Sequence, residues 1–298
     1  MQISIKLDNK KRCSFVFLFI FPHCNGCATI TKNITQKPVV LPPPPLNKFL
    51  LDTKEYARIR HLTQSYIKDS QMHITQEQIA NVKASLRTRM AMIDFDILGR
   101  TLAYSPYMPR ANKEFFIRNE RQNTPKLAHT FHIESTTDTS SLLYQTTQME
   151  EETHFDAYVL NLCPQYTQES AKDPMQHLES ISLLRRHSTL PIIHIDIFID
   201  KYQILESALF GADTLLIPAA PLEGKALKEL LNFARRLEFD VFVGADNKDE
   251  LKKAIFSGAD MLFLPQESFK ELLSLVPNTQ VIATNHPNEY GVDIWLRG

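Results

Sequence analysis

Glycine is scarce in this chain, with 8 among 298 residues, and nowhere do they fall as G-x-G-x-x-G. That excludes the glycine-rich phosphate loop that follows the first strand of most doubly wound nucleotide-binding sheets. Cysteine is scarcer still. Cys13, Cys24 and Cys27 crowd the start of the chain and Cys163 stands alone in its body. The body therefore has no disulfide framework and reads as a fold of a reducing compartment. Cys24-Asn-Gly-Cys27 has C-x-x-C spacing, but it follows an apolar run and no second ligand pair accompanies it, so nothing beyond spacing speaks for redox chemistry or zinc. Net charge is lacking too. The 33 basic and 34 acidic side chains leave −1, which gives no overall field to draw in nucleic acid or an anionic membrane.

The apolar run Cys13 to Pro22 follows Lys6, Lys10, Lys11 and Arg12. It is too short to span a bilayer and has the length of a signal-peptide core. Gly26-Cys27-Ala28-Thr29 has the outline of a lipoprotein junction, although Cys24 and Asn25 depart from the small and aliphatic residues usual there. Two expectations follow: an unstructured extension on a cytoplasmic protein, or an exported protein held at the membrane through Cys27. Pro42 to Pro45 reads as a polyproline II spacer. Residues 1–48 are thus an extension, and residues 49–298 one domain.

What is present suffices for a sizeable core. Apolar residues make up 43% of the chain and charged ones 22%, ordinary for a globular protein. Thr75 and Gln78 form a capping box ahead of a helix through about Arg89, with Ile79, Val82 and Leu86 along one face. A helix is expected from about Met175 to Arg186. Ile192 to Ile199 is nearly continuous apolar sequence, as in a strand covered on both faces, and the next helix runs from an Asp200 N-cap to a Gly211 stop. Gly211-Ala-Asp-Thr-Leu-Leu-Ile-Pro218 recurs as Gly258-Ala-Asp-Met-Leu-Phe-Leu-Pro265 and, more weakly, as Gly291-Val-Asp-Ile-Trp-Leu296. Each copy is a helix stop followed by an aliphatic strand. Helices around Lys225 to Leu237 and after Asn247 flank a strand from Asp240 to Val243. Strands and helices alternating at this rate imply a parallel sheet, and the length suits one (β/α)8 TIM barrel of the α/β class.

The segment Pro191-Ile-Ile-His-Ile-Asp-Ile-Phe-Ile-Asp-Lys-Tyr-Gln203 closely resembles the third βα unit of the indole-3-glycerol phosphate synthase family of tryptophan biosynthesis. That family usually writes Pro-Val-Leu-Arg-Lys-Asp-Phe-Ile-Ile-Asp-x-Tyr-Gln here. The resemblance runs from about Ile74 to the end, with Asp94 to Arg110 similar to the family's extra N-terminal helices. It assigns strands to Lys126–Phe131, Ala157–Pro164, Val241–Ala245, Met261–Pro265, Gln280–Ala283 and Ile294–Gly298. It implies a carboxy-lyase that cyclises, decarboxylates and dehydrates a carboxyphenylamino-deoxyribulose phosphate without cofactor or metal.

At the strand ends, where barrels keep their chemistry, this chain departs from that pattern. The family's strand-one Glu and Lys fall on Thr130 and His132, and its Ser-Pro-Ser loop keeps only Ser135. Tyr166 stands where the family has a substrate-packing aromatic. The strand-three Lys, the family's general acid, is Ile195; the strand-five Glu, its general base, is Gly244; and the strand-six Asn-Asn-Arg begins at Pro265. The few residues between Ile282 and Gly291, and the end of the chain at Gly298, imply a barrel lacking helix seven and the final helix. Strands one, seven and eight would then need cover from residues 1–73 or from a protein partner. The expected protein is a degenerate homologue with no intact catalytic set, binding at most a phosphorylated small molecule or a protein through Ser135 and Tyr166. The alternatives are a working synthase, with His132 taking part of the acid role, and an exported binding module.

Other residues invite chemistry. His194 and Asp196 share one face of a strand and are expected to turn toward the helices, where hydrogen bonding outweighs metal ligation. His129 and His132 face opposite ways. Arg185 and Arg186 end a helix and are expected to be solvated there.

Overall fold

The computed structural model describes residues 74–118, 124–133, 139–167, 176–285 and 291–298. The expectations for residues 1–48, including Cys27, lie outside these. Among the described residues three helices precede the first strand: α1 (Gln76–Met92), α2 (Phe95–Leu102) and α3 (Lys113–Phe116). Strands and helices then alternate as β1 (Lys126–His132), α4 (Thr139–Glu152), β2 (Ala157–Asn161), α5 (Gln176–His187), β3 (Ile192–Ile195), α6 (Lys201–Phe210) and β4 (Thr214–Pro218). After these come α7 (Gly224–Arg236), β5 (Val241–Gly244), α8 (Lys248–Phe256), β6 (Met261–Phe263), α9 (Phe269–Leu273), β7 (Val281–Thr284) and β8 (Ile294–Arg297).

The strands form a closed parallel barrel in sequence order, with β8 paired back onto β1 through Lys126 and Ile294. The expected eight-stranded (β/α)8 barrel is therefore present, with every strand in place. Among the described residues no helix lies between β7 and β8, yet the ladder closes. Closure needs only the strand hydrogen bonds, and both Ile282 and Thr284 on the outer face of β7 are buried. Inside the barrel Ala128, Val159, Ile193, Leu216, Phe242, Phe263, Ala283 and Leu296 form one apolar cluster, while alternate residues face the helices.

Two sequence devices hold the N-terminal ends of the strands. Asp156, Asp213 and Asp293 stand just before β2, β4 and β8. Their carboxylates accept the amides of Leu127, Ile192 and Ile282 in the preceding strand, at 2.8, 2.8 and 2.9 Å. Each aspartate's own N–H donates to the carbonyl of that same residue, at 2.7, 2.9 and 2.8 Å. The Gly-x-Asp echo thus has a physical role: glycine turns the chain at positive φ, at 92°, 87° and 71° for Gly211, Gly258 and Gly291, and two of the aspartates that follow clamp neighbouring strands.

The second device is the segment from Arg110 to Arg118. The Arg110 backbone N–H and guanidinium both bond Asp213, the Lys113 N–H donates to Asp240 at 2.6 Å, and the Arg118 N–H donates to Asp293 at 3.2 Å. Between these anchors the fully buried Phe116 stacks edge-on against Phe242 at 5.3 Å, so it plugs the floor of the barrel.

Several expected boundaries move. Strand three ends at Ile195 rather than Ile199, because the Asp196 carboxylate takes the Ile197 amide at 2.7 Å and the Gln203 side chain takes the Ile199 amide at 2.8 Å. Strand two stops at Asn161, whose side chain accepts from the Cys163 N–H at 3.0 Å and turns the chain into a 3-10 helix over Cys163–Thr167. The helical reading of Asp94 to Arg110 holds only for Phe95–Leu102. Helices α3, α4 and α9 carried no signal strong enough to be read in advance.

Candidate functional site

The C-terminal ends of the strands form the mouth of the barrel, and period-two alternation sends every second side chain into it. Thr130 and His132 on β1, Asn161 on β2, Ile195 on β3 and Gly244 on β5 occupy this inward register. Pro265 follows β6 and is buried. The described residues that the sequence resemblance singles out at the strand ends are thus gathered around one opening. Ser135 lies outside the described residues.

Among the described residues, two of these inward positions are inert. Ile195 is 5% exposed and packs in the interior cluster with Val159, Ile193 and Leu216. Gly244 stands in register with Pro218 on one side and Phe263 on the other, and its carbonyl accepts from Ala219 at 2.8 Å. Neither position offers a group that can carry a proton. A polar pair stands beside them: the exposed His132 ring meets the Asn161 amide, with Nδ1 to Nδ2 at 3.2 Å. Since the amide nitrogen donates, that contact leaves Nδ1 as the acceptor and Nε2 as the protonated nitrogen. Asn161 was not singled out in the sequence, although its alternation with Val159 places it in the mouth. Lys253, on α8, is engaged elsewhere: its Nζ donates to the carbonyls of Ala219 and Leu222 at 2.5 and 2.7 Å.

Tyr166 does not present its ring to the opening. It is 3% exposed and packs with Val82 of α1 and Ile197, and its hydroxyl reaches Asp196 at 3.4 Å. Burial and then the Asp196 charge push its phenol well above the usual range, so it stays protonated and donates. The same two causes push the neighbouring Cys163 thiol up, which makes it a poor nucleophile.

His194 and Asp196 face the helices. His194 Nδ1 meets Ser207 Oγ at 2.9 Å, and since that hydroxyl donates to Gln203, Nδ1 must carry the proton. Burial, with Arg89 adding to it, lowers the His194 pKa to about 3. His129 faces outward between Phe131 and Phe155, and burial first, then Arg297, lowers it to about 4. Arg185 corrects its expectation. Its guanidinium is 9% exposed, pairs with Asp213, donates to the Met108 carbonyl at 2.7 Å and lies over the Tyr107 ring. Arg186 donates to Ser182 and is exposed, as a solvated helix end should be.

Among the described residues no group of three His, Cys, Asp or Glu side chains is placed to hold a metal ion, and no helix is long and apolar enough to cross a membrane. A cavity of about 10 Å³ between Leu231, Arg235, Asp240 and Asp260 lies at the N-terminal ends of β5 and β6, opposite the mouth.

A family model described as indole-3-glycerol phosphate synthase matches residues 175–289. Curated proteins of that name match as well, two of them over more of the chain. The one from Campylobacter jejuni strain 81-176 is 29% identical over 243 residues, covering 72% of this chain and 90% of its own. The one from Campylobacter jejuni subsp. doylei is 30% identical over 217 residues, covering 67% and 80%. A Sulfurimonas denitrificans protein of the same name is 34% identical over 116 residues, covering 36% and 44%. Among solved structures, KGPDC from Streptococcus mutans superposes with a TM-score of 0.45 at 10% identity, over 59% of this chain and 88% of that one.

Proposed function

Because the chain belongs to the indole-3-glycerol phosphate synthase family, we propose that it has kept the family's barrel while giving up closure of the indole ring, and that its mouth binds at most a small phosphorylated molecule or a protein. The observation that carries this reading is Ile195. Where the resemblance puts the family's general acid, an aliphatic side chain faces the interior, 5% exposed and packed among Val159, Ile193 and Leu216. Loss of a positioned acid or base costs about 10²- to 10⁴-fold in rate. Here the acid position (Ile195), the base position (Gly244) and the strand-one pair (Thr130, His132) have all changed, and even strong non-additivity leaves little turnover. A tryptophan auxotroph lacking its own synthase tests the reading: this chain is expected not to restore growth, and growth would refute it.

The second reading is a working synthase that cyclises and decarboxylates the anilino-sugar phosphate. It is favoured by His132, an exposed imidazole in the mouth held by Asn161, since an imidazole can hold and release a proton and so serve as an acid. The same growth test separates the two, and loss of growth in His132→Gln would assign that role.

A further inference from the structure

On the helix side of β3, three ionisable side chains are enclosed together. Arg89 of α1, Asp196 after β3 and Glu206 of α6 are 2%, 2% and 1% exposed. Arg89 Nη1 donates to Glu206 Oε2 at 2.7 Å. The Asp196 carboxylate accepts from the Ile197 amide at 2.7 Å and lies 3.4 Å from the Tyr166 hydroxyl and 3.5 Å from the Gln203 amide nitrogen. Among the described residues, the other titratable groups facing the cluster are the thiol of Cys163 and phenol of Tyr166 from the 3-10 helix, Tyr202 from α6 and the neutral His194 from β3. Asp94, ahead of α2, acts on Tyr202 alone. Apart from Arg89, none of these is a cation at neutral pH, so two carboxylates confront one guanidinium out of water. An uncompensated buried charge is costly, and the way such a site avoids it is to keep a proton.

We propose that this cluster is a proton-linked latch: while α1 is docked, Asp196 and Glu206 hold one proton between them, and α1 loosens from the barrel as that proton is lost on raising the pH. The ionisation of the pair agrees with the charge count. Burial pushes Glu206 up to about 7, against the pull of Arg89 and with a push from Asp196, and burial pushes Asp196 up to about 6, again against Arg89. The proton belongs to the pair and not to one member. Undocking α1 returns both carboxylates to water and to their ordinary range near about 4. The docked state therefore binds more protons between about pH 4 and 7, and docking is strongest below that interval and weakens as pH rises through it.

The latch goes beyond the reading of the mouth and operates whatever the mouth binds. It sits next to the rim, however. Val82 of α1 is fully buried with Ile197 and Tyr166, and Asn81 of α1 donates to the Tyr166 carbonyl at 2.9 Å, so a loosened α1 uncovers that side of the opening.

Hydrogen exchange by mass spectrometry on the full chain between about pH 5.5 and 8.5, each rate divided by the chemical rate at that pH, tests the proposal. Protection of Gln76–Met92 is expected to fall with rising pH, by up to about tenfold per pH unit for one linked proton, while β4 keeps its protection. Glu206→Gln and Asp196→Asn each leave one carboxylate facing Arg89 and are expected to abolish the pH dependence of α1. Protection of β4 identifies a variant that has failed to fold, in which case the other variant and the unaltered chain decide. A flat or rising curve for the unaltered chain would overturn the latch, as would a curve unchanged in the folded variants. Growth of the auxotroph is a separate readout, so either proposal can fail alone.

Discussion

Ile195 and Asn161 stand opposite each other across the β2–β3 ladder, and together they define the mouth. Asn161 holds the His132 ring and the Cys163 amide; Ile195 turns an inert side chain into the interior. On the proposed reading, a lysine at this position alone should not confer turnover, because Gly244 offers no carboxylate to act as a base. Ile195→Lys is expected to show no indoleglycerol phosphate formation and to lower stability by on the order of 3 kcal/mol, since an ammonium would be buried without a partner. Fluorescence of the product and thermal unfolding check the two halves.

Asp213 anchors more of the fold than any other carboxylate at the barrel floor. It is fully buried and binds Arg110, Arg185 and the Ile192 amide. Asp213→Asn is expected to cost about 3–5 kcal/mol, because it strands the nearly buried Arg185 charge. Asp260, in the equivalent place of the sequence echo, is 60% exposed and meets only Arg235. Asp260→Asn should change stability by less than about 1 kcal/mol. Urea unfolding of both variants distinguishes them.

Two glycines should respond in opposite directions. At Gly211, φ is +92° and an added Cβ would lie 3.0 Å from the Tyr107 ring, so Gly211→Ala is expected to cost at least about 1–2 kcal/mol. At Gly99, inside α2, the nearest atom to an added Cβ is Leu205 Cδ1 at 3.9 Å. Gly99→Ala should therefore stabilise by about 0.5–1 kcal/mol. Melting temperatures measure both.

How far such features can be read from sequence depends on the range of the interaction. The strand and helix succession from β3 to α8, with its Asp200 cap and the Gly211 stop, was legible because period, cap and stop are local. The plug formed by Phe116 was not, because a four-residue helix has no periodicity and its partner Phe242 lies far along the chain. Arg185 looked like a solvated helix end for the same reason: nothing nearby in sequence announces Asp213 and Met108. At the mouth, the inward register of Thr130, His132, Ile195 and Gly244 agrees with alternation along the strands. Asn161 shares that alternation but is a residue type without a fixed chemical role, and it passed unremarked.

Stability should also depend on pH through His194. Its folded pKa is lowered to about 3 from an ordinary value of 6.5, so the unfolded chain binds the proton first on acidification. The contribution is fully present above about pH 6.5 and is lost as pH falls toward 3, with a limiting slope of about 1.4 kcal/mol per pH unit. Asp196 and Glu206, raised instead, act with opposite sign between about pH 4 and 7. His194→Asn, whose amide can replace the Nδ1 donor to Ser207, is expected to flatten the acid side of the stability profile measured by urea unfolding.

The most direct measurement of the central claim is single-turnover formation of indoleglycerol phosphate by the full chain, followed by product fluorescence at enzyme in excess of substrate. Product at the rate of the uncatalysed blank is predicted, because neither Ile195 nor Gly244 can move a proton. A burst of product that follows the enzyme concentration would contradict the account.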